Sequence, residues 1–162
     1  MTTLTALKFS TPEGAGQMLE KIKQMQKMQL IKLQDAAIVT WPVGKSKPKT
    51  KQLVDMAGMG ALQGAFWGML FGLIFFVPFF GLAVGAAFGA LGGKMADYGI
   101  DDNFIKQSRE KVTEGTSALF LLTSDAVQDR VITELKGFNF ELFASNMTTD
   151  QEEELMAAFA EE

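Results

Sequence analysis

Three aspartates, Asp97, Asp101 and Asp102, lie close enough in the sequence to suggest a metal site. Carboxylate oxygens are good ligands for hard cations such as Mg²⁺ or Ca²⁺. Asp101 and Asp102 also precede Asn103, where a helix is expected to begin, and capping of that helix accounts for both. A soft-metal site is disfavoured too, because the chain's methionines at helical spacing are core residues first: Met18, Met25 and Met28. The sequence therefore predicts no metal-binding residue.

The chain contains no cysteine and no histidine. This composition excludes disulfides, thiolate nucleophiles, the usual zinc sites and imidazole acid–base catalysis. The glycine repeats lack the Lys-Ser/Thr pair of a phosphate-binding loop and lie in an apolar run, so they do not indicate a nucleotide site. Because acid–base chemistry is left to carboxylates alone, we expect a non-enzymatic protein with no catalytic residue and no cofactor.

Four lysines at alternate positions, Lys45, Lys47, Lys49 and Lys51, stand just before the most apolar part of the chain. Lysines in that position predict contact with anionic lipid headgroups. A solvated linker is the simpler interpretation, and the two are compatible. We expect no nucleic-acid partner, because the net charge is −4 and no aromatic residue or arginine is interleaved with these lysines.

The most distinctive feature of the sequence is the run from Met56 to Gly93, which contains no Asp, Glu, Lys or Arg. Glycines recur in it at four-residue spacing, which leaves one helix face bare and is typical of helices that pack backbone to backbone in lipid. The pattern predicts a glycine-zipper hairpin of two apolar helices. Its helix-packing residues are Gly60, Gly64, Gly68, Gly72, Gly81, Gly85, Gly89 and Gly93.

The two predicted helices differ on their remaining faces. The first carries bulky side chains such as Phe66, Leu70 and Leu73 opposite its glycines, and these are expected to face lipid. The second has a further small face, which predicts contact with another copy of the chain and hence a homo-oligomer. The residues of that contact are Ala83, Ala86, Ala87 and Ala90. Because the second helix is short for a bilayer, spanning and merely dipping into it both remain open.

The rest of the chain predicts an α+β domain. Strands are expected at residues 3–9, 35–41, 117–123 and 138–143, and helices at 10–31, 103–112 and 125–136. This order is that of a ferredoxin-like βαββαβ domain, with the hairpin inserted between strands 2 and 3. The predicted boundaries are 1–52 and 97–147 for the two halves of the domain, 53–96 for the hairpin and 148–162 for a C-terminal acidic helix.

Several linked motifs resemble those of a known family. The chain is similar to the bacterial glycine-rich membrane proteins of domain-of-unknown-function family 1269. The resemblance implies a bacterial or archaeal membrane-associated protein, and that family offers no established activity or catalytic residue to transfer. The motifs are Trp41-Pro42 with Gly44-Lys45 and Lys47-Pro48-Lys49, the segment from Gly64 to Gly68, the segment from Asp97 to Asp102, and the segment from Gly115 to Phe120.

These features together predict a self-associating protein of the bacterial inner membrane, with its soluble part and both termini in the cytoplasm. Its partners would be copies of itself and anionic lipid, and its role that of a scaffold or membrane organiser, including in envelope stress. One alternative is a homo-oligomeric pore, although Gln63 is the only long polar side chain in the apolar run. The other is a soluble self-assembling shell or tube, in which the hairpins pack against protein instead of lipid.

Overall fold

The computed structural model describes residues 2–52, 64–76, 98–124, 133–135, 137–147, 150 and 157. The helices are α1 (Gly14–Lys27), α2 (Gly64–Phe71) and α3 (Asp102–Lys111), and a π-helical turn, Gly72–Phe76, continues α2. The strands are β1 (Thr2–Phe9), β2 (Lys32–Thr40), β3 (Lys49–Gln52), β4 (Ser117–Ser124) and β5 (Glu141–Met147).

The five strands form one antiparallel sheet in the order β3-β2-β4-β1-β5. At one end of the sheet Phe9 pairs with Ser117, Ser117 with Thr40, and Thr40 with Lys49. At the opposite end Thr2 pairs with Met147. The start of β3 and the end of β5 therefore lie at diagonally opposite corners of the sheet.

The predicted fold, a four-stranded ferredoxin-like domain with an apolar helical hairpin between strands 2 and 3, is wrong. The third strand of the sheet in sequence is β3, which follows β2 after a short turn and pairs with it along Lys49–Gln52. Within the described residues no apolar hairpin separates strands 2 and 3. The sequence Lys-Thr-Lys-Gln was interpreted as a charged linker, but alternating lysines suit an edge strand because they discourage further strand pairing.

Both faces of the sheet are apolar, because successive residues of the central strands point to opposite faces and are buried on both. On β4, Ala118, Phe120 and Leu122 lie in one core cluster, and Leu119 and Leu121 lie in the other. Helix α1 covers the second of these faces. Its stripe of Ala15, Met18, Leu19, Ile22 and Met25 is buried, as the helical spacing predicts.

The other face of the sheet is covered by α2, the π-helical turn and α3. Phe66, Trp67 and Leu70 of α2 are fully buried in the same cluster as Phe120. Phe71 meets Phe120 edge to face, with ring centroids 5.2 Å apart. The prediction that the bulky face of this helix contacts lipid is therefore wrong, because the chain's own sheet occupies that face.

The ends of α1 depend on groups that its local sequence does not reveal. The cap residue of α1, Glu13, makes no side-chain cap hydrogen bond. Instead the Ser117 hydroxyl of β4 accepts a hydrogen bond from the Ala15 N–H at 3.0 Å and donates one to the Thr11 carbonyl. The helix ends at Lys27 and not near residue 31, because Gln29 adopts a left-handed conformation with φ +61°.

Within the described ranges, no helix combines the length and the apolarity that a membrane crossing requires. This finding contradicts the predicted inner-membrane location, transmembrane helix and helical hairpin. The second half of the predicted hairpin, Phe79 to Gly93, lies outside the described residues, as does nearly all of the predicted acidic helix.

Replacing Leu70 by alanine tests whether the bulky face of α2 belongs to the core. Leu70 is 0 % exposed, so L70A is expected to lower the free energy of unfolding by about 2–5 kcal/mol in urea titrations without detergent. Val43 is 79 % exposed, and V43A should change that free energy by less than about 0.5 kcal/mol. Equal, small effects of both substitutions would contradict this placement of α2.

Candidate functional site

The chain of α2 and its π-helical turn is tied to α3 by one arginine. Arg109 donates hydrogen bonds from Nε to the Ile74 carbonyl at 3.0 Å and from Nη2 to the Leu73 carbonyl. The planar guanidinium can donate to two backbone carbonyls at once. Arg109 thus holds the end of the apolar helix against the folded domain.

Gly68 lies on a different side of α2 from the bulky residues. It is exposed, and a Cβ placed on it would meet no atom of the described residues within 4 Å. Gly64 begins the helix, and Gly72 is buried in the π-helical turn. The remaining predicted packing glycines, Gly60, Gly81, Gly85, Gly89 and Gly93, and the predicted contact alanines, Ala83, Ala86, Ala87 and Ala90, lie outside the described residues.

The four predicted headgroup lysines are on one exposed element. We call residues 41–51 the lysine hairpin, because they form the β2–β3 turn and most of β3. Lys45, Lys47, Lys49 and Lys51 are all exposed, while Pro48 between them is buried. The structure therefore brings these lysines together, and their contact with lipid stays a prediction.

The turn of the lysine hairpin is held by a hydrogen-bond network. The Trp41 indole N–H donates to the Lys45 carbonyl at 2.9 Å, and the Gly44 N–H donates to a Glu114 carboxylate oxygen at 2.5 Å. The Gly115 N–H donates to the Trp41 carbonyl at 2.6 Å. Gly44 has φ +87°, a conformation that side-chain-bearing residues rarely adopt. These bonds fix the direction in which the hairpin presents its lysines.

Asp101 caps a helix, as predicted. The Asp101 carboxylate accepts a hydrogen bond from the Phe104 N–H at 2.8 Å, and Asp102 lies in the first turn of α3. Asp97 lies outside the described residues. Among the residues described, no group of three or more potential metal ligands occurs. Of the methionines, Met18 and Met25 are buried in the core, and Met28 is 46 % exposed.

Two open cavities in the described residues offer no recognisable catalytic arrangement. The first, of about 320 Å³, lies beside Lys8, Ser10 and Glu141. Glu141 is engaged by two cations there, Lys8 at 4.0 Å and Lys111 at 3.5 Å, and it is half exposed. The second, of about 410 Å³, is lined by Gln26, Gln29, Ile31, Lys32 and Leu33. The exposed Gly68 side of α2 and the lysine hairpin are the other surfaces that the described residues present.

Sequence reasoning missed three positioning residues: Arg109, Glu114 and Ser117. Each bonds to a backbone group far away in the chain, which no local pattern reports. Arg109 stands in an ordinary last-turn position of α3, where a basic residue is already favoured by the helix dipole. Only the tertiary structure shows that Arg109 also bonds to the carbonyls of another element.

A family model described as a protein of unknown function, DUF1269, matches residues 61–160, which is more than half of the chain. The chain belongs to the DUF1269 family. This confirms the predicted family and does not test its bacterial or glycine-rich description, and the matched range excludes the motif at Trp41 to Lys49. No curated protein and no solved structure matches the chain. The DUF1269 range begins within the glycine ladder and includes α2, α3, β4 and β5.

Replacing Arg109 by methionine tests its hold on the apolar helix. R109M keeps much of the side-chain volume but leaves two carbonyls without their partner, so the free energy of unfolding should fall by about 1–2 kcal/mol. Lys106 is an exposed residue on the same helix, and K106M is expected to change that free energy by less than about 0.5 kcal/mol. If both variants unfold at the wild-type urea concentration, the hydrogen bonds of Arg109 do not stabilise the fold.

Proposed function

We propose that this DUF1269 protein is a non-catalytic assembly component that associates with further copies of itself through the glycine face of α2. In this account the apolar segment packs protein against protein, as in a shell or tube. The observation that carries the proposal is the division of α2 into a fully buried bulky face and an open glycine position at Gly68.

The glycine at position 68 is not required by contacts with the described part of its own chain. It lies in a helix, where glycine is less favourable than alanine by about 1 kcal/mol. A Cβ at Gly68 would have no neighbour within 4 Å among the described residues. A close approach by another backbone explains why a glycine is useful there, since small residues allow helices to come near each other. Gly68 also belongs to the ladder of glycines at four-residue spacing, and this supports a close approach by another helix.

The composition of the chain supports a structural role. The chain has neither cysteine nor histidine. In the described residues the Asp101 carboxylate accepts a hydrogen bond from the Phe104 N–H, and Glu141 forms ion pairs with Lys8 and Lys111. A protein that works by assembly needs no catalytic groups.

The test is a substitution that fills the open face without disturbing the fold. G68L should leave the monomer as stable as the wild type, or more stable, because the added side chain replaces a helical glycine in open space. It should lower self-association by about tenfold or more, since a bulky side chain prevents close helix approach. Mass photometry and light scattering over a concentration series, in buffer without detergent, measure this change. G68A, with a single methyl group, should fall between G68L and the wild type.

Gly16 provides the matched control. It is also an exposed helical glycine with no atom within 4 Å of a Cβ, but it belongs to no four-residue ladder. G16L should therefore leave self-association unchanged. Equal association of the wild type, G68L and G16L would overturn the proposed contact, and a wild type that remains monomeric at every concentration would overturn the proposed function.

A further inference from the structure

Charge is distributed very unevenly along this chain. Residues 2–52 contain nine lysines and three carboxylates, a net charge of +6. Residues 137–162 contain seven carboxylates and no lysine or arginine, a net charge of −7. The overall net charge of −4 conceals this separation. Oppositely charged parts of one molecule favour either an internal contact or a contact between copies.

The positive charge that remains available is concentrated on the lysine hairpin. Other lysines are already paired. The Lys21 Nζ lies 2.7 Å from the Glu134 Oε2, and the Lys23 Nζ lies 3.4 Å from the Glu20 Oε1. By contrast, Lys45, Lys47, Lys49 and Lys51 are exposed and form no ion pair with any residue of the described part of the chain. An acidic partner could therefore bind them without breaking an existing salt bridge.

The hairpin presents these charges in a fixed arrangement together with one exposed apolar side chain. Lys49 and Lys51 are two residues apart on β3, so their side chains leave the same face of the sheet about 7 Å apart. Val43, in the turn, is 79 % exposed. The hydrogen bonds of Trp41 and Gly44 hold that turn in place. A complementary partner would be an acidic segment that also carries apolar side chains.

The chain itself contains a segment with that composition. Residues 150–162 include six carboxylates and no basic residue: Asp150, Glu152, Glu153, Glu154, Glu161 and Glu162. Leu155, Met156 and Phe159 stand among them. The segment therefore matches the hairpin in both respects, with carboxylates for the lysines and an apolar group for Val43.

The sheet topology disfavours a contact between this segment and the hairpin of the same chain. The segment follows β5, whose last residue, Met147, pairs with Thr2. Lys49 lies four strands away and at the other end of the sheet, a diagonal of about 30 Å from standard strand spacings. If residues 148–162 continue as a helix, they extend about 22 Å. A helical segment thus ends short of its own hairpin, whereas the hairpin of a second copy has no such limit.

We propose that the lysine hairpin binds the acidic segment 150–162 of a second copy of this chain. The inference rests on the proposed self-association and adds an electrostatic contact to the glycine contact. Because the lysine hairpin and the end of β5, which precedes the acidic segment, lie at opposite corners of the sheet, each copy would use a different part of its surface toward each neighbour. Such a head-to-tail contact adds copies in an open series unless the rotation between neighbours closes a ring.

Charge reversal on both sides provides the test. One full-length variant carries K45E, K47E, K49E and K51E, and the other carries E152K, E153K, E154K, E161K and E162K. Each variant alone presents like charges on both surfaces, so its self-association should weaken by about tenfold or more relative to the wild type. An equimolar mixture should recover association to within about threefold of the wild type, because each variant then complements the other. The recovery also demonstrates that both variants are folded.

Further comparisons distinguish the hairpin contact from the glycine contact and from binding to lipid. A variant with K27E, K32E and K106E reverses exposed lysines elsewhere and should associate like the wild type. If G68L weakens association but neither charge variant does, the hairpin contact is absent while the glycine contact stands. If the charge variants weaken association and G68L does not, the glycine contact is the one that fails. Unchanged self-association together with loss of binding to phosphatidylglycerol vesicles in the hairpin variant would assign these lysines to lipid and overturn the proposal.

Discussion

The packing of α2 on the sheet is the interaction on which the rest of this structure depends. Both faces of the sheet are apolar, and α1 covers only one of them. Burying a tryptophan or phenylalanine ring removes about 150–250 Å² from water, or about 4–6 kcal/mol. The indole N–H of the buried Trp67 is unpaired, which costs about 1–3 kcal/mol. This cost is smaller than the free energy gained by burying the ring. The most apolar described helix is therefore part of the core of a folded domain.

That packing determines which surfaces the molecule presents. Once Phe66, Trp67 and Leu70 are used on the sheet, Gly68 is left on the open side of the helix, and Arg109 holds the helix end in place. The lysine hairpin is a separate surface, fixed by bonds from Glu114 and within its own turn. The first surface favours close contact between backbones, and the second favours a charged partner. Both surfaces suit the proposed assembly of this DUF1269 protein.

Much of the local structure could be predicted from the sequence, and most of what could not depends on distant contacts. The alternation in β1, the apolar runs of β2 and β4, and the Asp101 cap are local signals, and each element lies near its predicted place. The strand β3 was missed because edge lysines resemble a linker. The prediction that the bulky face of α2 contacts lipid is wrong. A helix that packs on lipid and a helix that packs on an apolar sheet carry the same kinds of side chain, so the sequence did not distinguish them. The cap from Ser117 on α1 joins residues 102 positions apart.

The most direct test of the account is the accessibility of position 68 as the protein associates. The chain lacks cysteine, so G68C and G16C each introduce a single thiol, whose reaction with a small alkylating reagent can be followed across a dilution series. The account predicts that Cys substituted at position 68 reacts freely in dilute protein and becomes protected as concentration rises, while Cys substituted at position 16 reacts equally throughout. A thiol at position 68 that reacts at the same rate at every concentration would contradict the account.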